Sequence, residues 1–174
     1  IDCPIGKYQD TEGAIQCKTC ESGKYNDITN QTSASSCKEC EIGHYCLNGI
    51  KKPCETNKYQ PNTSQNSCIS CPYNSITLRE ESTKLEDCIA GPGYSGTGSG
   101  IKICIPGTYK NTIGPADCTN CEAGTYQDTT GATGCNLCPI NRYQPDPKSL
   151  VCFPCPAGTY NNTPGATDVS KCKQ

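Results

Sequence analysis

The chain has 174 residues, 18 of them cysteine, no tryptophan or methionine, and a formal net charge of −2. Leu, Ile, Val and Phe together number 22, which excludes one large apolar core and by itself would place the chain among disordered sequences. The near-neutral charge offers no basic patch for nucleic acid or an anionic membrane, and no apolar run approaches the roughly 20 residues of a membrane span.

Order comes from a beat. Cys3, Cys20, Cys40, Cys54, Cys71, Cys88, Cys104, Cys121, Cys138 and Cys155 each open a stretch about 17 residues long. Tyrosine follows five residues later at Tyr8, Tyr25, Tyr45, Tyr59, Tyr109, Tyr126, Tyr143 and Tyr160. Such spacing marks a tandem array of repeats too small to fold alone, each ordered by a covalent bridge and by its neighbours. A bridge that closes about 15 residues contributes roughly 3 kcal/mol, whereas ordering backbone costs roughly 1–2 kcal/mol per residue, so bridges and neighbour contacts must act together. An even count of cysteines at this density indicates full pairing in an oxidising setting, extracellular or at the cell surface.

Each repeat opens as Cys-x-x-Gly-x-Tyr, seen in Cys3–Tyr8 and Cys155–Tyr160. The third residue after the opening cysteine is Gly6, Gly23, Gly43, Asn57, Asn74, Gly91, Gly107, Gly124, Asn141 or Gly158. Glycine and asparagine enter the left-handed region cheaply, so a tight turn with positive φ is expected there, swinging the tyrosine back over the disulfide. Gly124→Val should therefore cost more than Ala123→Val. A second turn signal lies midway, at Thr11–Ala14, Thr112–Ala116, Thr129–Ala132 and Thr163–Ala166. Two short extended arms joined by a glycine turn and closed by a bridge describe a minimal β-hairpin. The fold class expected is small and disulfide-rich: an elongated tandem array of short β-hairpin cysteine-rich repeats with little helix.

Three regions follow one another. Residues 1–70 hold the repeats opening at Cys3, Cys20, Cys40 and Cys54; 71–103 hold an irregular repeat and a glycine-rich joint; 104–174 hold those opening at Cys104, Cys121, Cys138 and Cys155. Between Ser75 and Asp87 the glycine turn is missing, and Thr77-x-x-Glu80 has the form of a capping box ahead of a helical turn or two. The stretch from Cys88 to Gly98 looks like the glycine-rich tail of an epidermal-growth-factor-like module without its preceding C-x-C, and reads as a flexible joint rather than a specialised binding loop. The chain starts Ile1-Asp2-Cys3 and stops Cys172-Lys173-Gln174, each time where a C-x-x-C would place its other cysteine, so a window from a longer array is expected.

The string Cys-Pro-x-Gly-x-Tyr, then Thr-x-Gly-Ala, then Cys-x-x-Cys resembles the ephrin-receptor-like cysteine-rich repeat. It is also similar to the first module type of tumour-necrosis-factor-receptor cysteine-rich domains. The match is good over the repeats opening at Cys3, Cys20, Cys104, Cys121, Cys138 and Cys155. The resemblance implies an extracellular rod and names no ligand. Its simplest pairing implies Cys3–Cys17, Cys20–Cys37, Cys54–Cys68, Cys71–Cys88, Cys104–Cys118, Cys121–Cys135, Cys138–Cys152 and Cys155–Cys172. Cys40 and Cys46 would then close a short loop around His44 and Tyr45, with Cys40–Cys54 plus Cys46–Cys68 as a crossed alternative.

Other chemistry is sparse. Asn30-Gln-Thr32, Asn62-Thr-Ser64 and Asn161-Asn-Thr163 are glycosylation sequons in polar stretches. Cys17-x-x-Cys20 with Cys37-x-x-Cys40 matches a zinc-ribbon expression, yet metal binding would orphan Cys3, Cys54, Cys104 and Cys172. No catalytic, cofactor or metal residue is assigned, and the single His44 reads as solvated. The function expected is a non-enzymatic extracellular structural or adhesive glycoprotein segment in a surface coat or filament, its partners being glycans and other copies or repeats of the same assembly. The alternative is the ligand-binding ectodomain of a cell-surface receptor.

Overall fold

The structure, a computed structural model, describes residues 2–174. It comprises two compact units, Ile1–Cys88 and Ile89–Gln174. Both are built from antiparallel hairpins whose arms are mostly two residues long, because a turn precedes each first arm and a bridged cysteine flanks the second. In the first unit β1 (Lys7–Tyr8) pairs with β2 (Lys18–Thr19), β3 (Lys24–Tyr25) with β4 (Lys38–Glu39), β5 (His44–Leu47) with β6 (Ile50–Pro53) and β7 (Lys58–Tyr59) with β8 (Ile69–Ser70), followed by β9 (Ser75–Ile76). The second unit starts with β10 (Ile89–Ala90) and pairs β11 (Tyr94–Ser95) with β12 (Lys102–Ile103), β13 (Thr108–Tyr109) with β14 (Thr119–Asn120), β15 (Thr125–Tyr126) with β16 (Asn136–Leu137) and β17 (Arg142–Tyr143) with β18 (Phe153–Pro154).

Disulfides make the core. Among the described residues every buried apolar side chain is a cysteine apart from Tyr25, Ala90 and Ala166. The bridges are Cys3–Cys17, Cys20–Cys37, Cys40–Cys46, Cys54–Cys68, Cys71–Cys88, Cys104–Cys118, Cys121–Cys135, Cys138–Cys152 and Cys155–Cys172, and no described cysteine is free. Cys40 therefore does not reach Cys54. In the Cys40 repeat the residue at the usual place of the closing cysteine is Lys51, paired across the hairpin with Cys46. Cys46 lies just after Tyr45, turned into the core and fully buried, and takes the bridge instead.

Apart from Cys40–Cys46, with a separation of 6, two bridge spacings occur, 14 and 17 residues, with the same Cα separation of 5.7 Å in Cys3–Cys17 and Cys20–Cys37. The three extra residues form one 3₁₀ turn before the closing cysteine: Ala34–Ser36, Leu85–Asp87 and Val169–Lys171. A 3₁₀ turn holds three residues, so an insertion of that length leaves the arms in register. Each closing cysteine N–H caps its turn, as Cys37 does on Ala34 O at 3.1 Å. The helical signal between Ser75 and Asp87 thus lies later than Thr77-x-x-Glu80 suggests. Thr77 caps nothing helical; it is buried, and its hydroxyl accepts the Asn57 N–H at 3.0 Å. Asp87 accepts from the Thr83 and Lys84 N–H groups at 3.0 and 3.2 Å.

The expected turn has positive φ at Gly6, Gly23, Gly43, Asn57, Asn74, Gly107, Gly124, Asn141 and Gly158. Gly91 is the exception: the positive φ falls on Gly93, at 78°. The repeat there is registered two residues later than Cys88 implies, and its arms β11 and β12 pair like the others. The stretch read as a flexible joint is a hairpin.

Candidate assembly interface

The recurring backbone groups of one repeat are spent on the next. Counting the opening cysteine as position 0, the N–H at position 3 donates to the carbonyl at position 6 of the following repeat: Gly6 to Asn26 at 2.7 Å, Gly43 to Gln60 at 2.8 Å, Gly107 to Gln127 and Gly124 to Gln144 at 2.7 Å. The N–H at position 6 donates to the carbonyl at position 11 of the following repeat: Gln9 to Gln31 at 2.9 Å, Gln127 to Ser149 and Gln144 to Ala166 at 3.0 Å. The N–H at position 10 reaches back to the opening residue of the preceding repeat: Asn30 to Cys3, Ser64 to Cys40, Glu81 to Cys54, Gly131 to Cys104, Lys148 to Cys121 and Gly165 to Cys138, at 2.6–2.9 Å. Each opening cysteine N–H donates to the position 3 carbonyl before it, as Cys121 does to Gly107 at 2.9 Å. Short hairpins leave most of their backbone polar groups unpaired, and these cross-repeat bonds satisfy them.

Repeats also touch two along. A Cβ on Gly124 would overlap the carbonyl oxygen of Gly165, in the second repeat onward, and the same holds for Gly107 against Lys148, Gly43 against Glu81 and Gly23 against Ser64. This approach excludes a side chain at these four glycines, whereas Asn57, Asn74 and Asn141 take the same left-handed turn in other repeats. It also accounts for position 10 at Ser64, Glu81 and Lys148, which adopt φ of 58–59° although none of them is a usual left-handed residue.

Position 6 is the buried polar hub. Gln60, Gln127, Gln144 and Asn161 are 2–7% exposed. The Gln144 side chain accepts from the Asp146 N–H at 3.0 Å and donates to Val151 O at 2.7 Å, tying both arms of its own loop. Gln60 bonds Asn62 and Ser67 in the same way, and Gln127 bonds Thr129 and Gly134. Lys110 replaces the amide in one repeat; its ammonium donates to Tyr94 O at 2.9 Å and to Gly114 O, and burial lowers its pKa. No buried side-chain nitrogen or oxygen among the described residues lacks a partner.

One charged cluster sits over a tyrosine. Tyr25 is 6% exposed beneath Lys51 and Lys38, whose ammonium nitrogens lie 4.8 and 5.7 Å from the ring centre. Its hydroxyl donates to Glu41 at 3.2 Å, Lys51 pairs with Glu41 at 3.0 Å, and Lys38 pairs with Asp27 at 2.7 Å. The hydrogen bond from Lys51 holds the Glu41 carboxyl below its ordinary range, and the one from Lys38 does so for Asp27. His44 is not a freely solvated side chain: it is 15% exposed with Nε2 3.4 Å from Glu81, two repeats on. Cys17, Cys20, Cys37 and Cys40, the zinc-ribbon foursome, are divided among three disulfides.

Comparison with known proteins matches this arrangement to a family model described as tyrosine-protein kinase ephrin type A/B receptor-like, over residues 43–88, 94–134 and 130–172. The chain belongs to this ephrin-receptor-like family. It is also 27% identical over 126 residues, 68% of its length, to sushi, von Willebrand factor type A, EGF and pentraxin domain-containing protein 1 of Mus musculus, and equally to that of Rattus norvegicus. It spans 4% of the length of these relatives. An ephrin-receptor-like array with every described cysteine oxidised is an extracellular domain. No helix among the described residues is long and apolar enough to cross a membrane.

Within these ephrin-receptor-like repeats the three sequons separate. Asn30 and Asn62 are exposed. Asn161 occupies the buried hub, 4% exposed, with its amide nitrogen donating to Thr163 O at 2.8 Å and Arg142 O at 3.3 Å. The sequence reading missed position 6, and it saw position 10 only where a glycine marks the turn, as at Gly13, Gly131 and Gly165. The recurrence of Gln9, Asn26, Gln60, Gln127, Gln144 and Asn161 directly after a tyrosine was the available signal.

Proposed function

We propose that the chain is a segment of a non-enzymatic extracellular structural or adhesive glycoprotein, a disulfide-stapled rod that works in a surface coat or filament. The observation that supports this reading is where the repeated chemistry is directed: glycine, amide and left-handed residues serve repeat-to-repeat stacking. The partners proposed are other copies or repeats of the same assembly. Sugars on Asn30 and Asn62 cover the outside, while Asn161, whose amide nitrogen is engaged, stays bare. A groove of about 670 Å³ lined by residues 160–167 with Lys171 and Lys173 offers no carboxylate to act as an acid or base.

The receptor reading draws on one feature, the exposed Ile140, Leu150, Val151 and Phe153 gathered in a single repeat. Small-angle scattering and electron microscopy of native material separate the two. Elongated, glycan-bearing assemblies are expected, and a compact, unglycosylated monomer that binds a soluble ligand tightly through that repeat would establish the receptor instead.

A further inference from the structure

We infer that residues 90–103 form a complete repeat whose disulfide has been replaced by Ala90 and Ile101, and that this repeat is the first part of the second unit to open. Four bonds place Ala90 in the position of an opening cysteine. Gly93 N–H donates to Lys110 O at 2.8 Å, as Gly107 does to Gln127. Gly114 N–H donates to Ala90 O at 2.9 Å, as Gly131 does to Cys104 O. Cys104 N–H donates to Gly93 O at 2.8 Å, as Cys121 does to Gly107 O. Gly96 N–H donates to Pro115 O at 3.1 Å, as Lys110 does to Ala132 O.

The strand register agrees. Tyr94 faces Ile103 and Ser95 faces Lys102, matching Thr108 with Asn120 and Tyr109 with Thr119. Ile101, just before β12, thus stands where Cys118 stands before β14. Ala90 is fully buried, like Cys104 and Cys121 at 1% and 0% exposed.

Nothing covalent closes this loop. Its turn runs through Gly96, Gly98 and Gly100, residues that gain the most backbone freedom on opening. It is held by hydrogen bonds alone: the cross-repeat bonding above, the Lys110 ammonium on Tyr94 O, the β11–β12 pairing, and the Ala90 N–H on Gly96 O at 3.1 Å within the loop. Opening therefore needs no bond to be reduced. The other repeats of this unit, those opening at Cys104, Cys121, Cys138 and Cys155, cannot extend their loops without reduction.

Hydrogen exchange on the intact, non-reduced chain tests the proposal. The amides of Gly93, Gly96 and Cys104 are expected to exchange on the order of 100-fold faster than those of Gly107, Lys110 and Cys121, their counterparts one repeat on. Equal protection would overturn the opening. The double variant A90C/I101C is expected to form a tenth disulfide and slow those amides to their neighbours' rates. Free thiols at 90 and 101 with the nine native bridges intact would overturn the assignment. The reverse variant C121A/C135I guards against mispairing in the first: it should give Gly124 and Cys138 the fast exchange of Gly93 and Cys104, and unchanged rates there would overturn the proposal as well.

Discussion

At the scale of a residue, geometry and not hydrophobicity decides what is tolerated. Gly124 combines a φ of 80° with a carbonyl where its Cβ would go. Gly124→Val is expected to cost at least about 2 kcal/mol more than Ala123→Val, from left-handed strain plus the displacement of Gly165. Denaturant titration with the disulfides kept intact, followed by tyrosine fluorescence, measures the difference. Gln144→Leu strands the Asp146 N–H and the Val151 carbonyl, and about 1–3 kcal/mol should be lost in the same titration. Acid acts elsewhere. Glu41 has a folded-state pKa below its ordinary value, so its contribution is present above the usual carboxylate range and lost as pH falls through the lowered pKa. The effect is small because the Glu41 side chain is 57% exposed. Protection around Tyr25, measured against the intrinsic exchange rate at each pH, should fall on acidification, and Glu41→Gln should flatten that pH dependence.

At the scale of an element, the hairpin is insensitive to how its tip is filled. Deleting Ala34–Ser36 reduces the Cys20–Cys37 separation to the 14 residues seen in Cys3–Cys17. Peptide mapping of the deletion variant should recover all nine native pairs; scrambled pairing would show that the 3₁₀ turn does more than fill space. The same insensitivity decides what could be read in advance. Opening cysteine, turn residue and tyrosine were legible because a bridge and a positive φ restrict the choice to one or two residue types at fixed spacing. Position 6 was not, because glutamine and asparagine are common in loops, and Cys46, Thr77, Gly96 and Lys110 interrupt the column. Position 10 was half legible: Gly13, Gly131 and Gly165 announce a turn, whereas Ser64, Glu81 and Lys148 are held in the same conformation by a neighbouring repeat. The hairpin at β11 was hidden for a related reason, since Ala90 carries none of the signal of the cysteine it replaces. In the Cys40 repeat the sequence left two pairings open because Lys51 had displaced the closing cysteine, and only the burial of Cys46 explains the short loop.

At the scale of the whole molecule, the bridges and the stacking are interdependent. Reduction should unfold the entire chain, because no apolar cluster remains once the cysteines cease to be a core. Circular dichroism and exchange under increasing reductant should show complete loss of protection, and a protected core surviving in the fully reduced chain would contradict this account. The covalent map also limits how far the chain can be drawn out. Tension cannot lengthen a closed loop, and in the C-x-x-C joints such as Cys118 to Cys121 only two residues lie outside one. Residues 89–103, between Cys88 and Cys104, are the longest stretch that no bridge encloses. Fully extended, they span about 50 Å. A pull along the chain would release that slack as one discrete step, distinct from the shorter stretch between Cys46 and Cys54, and beyond these two it would meet covalent bonds.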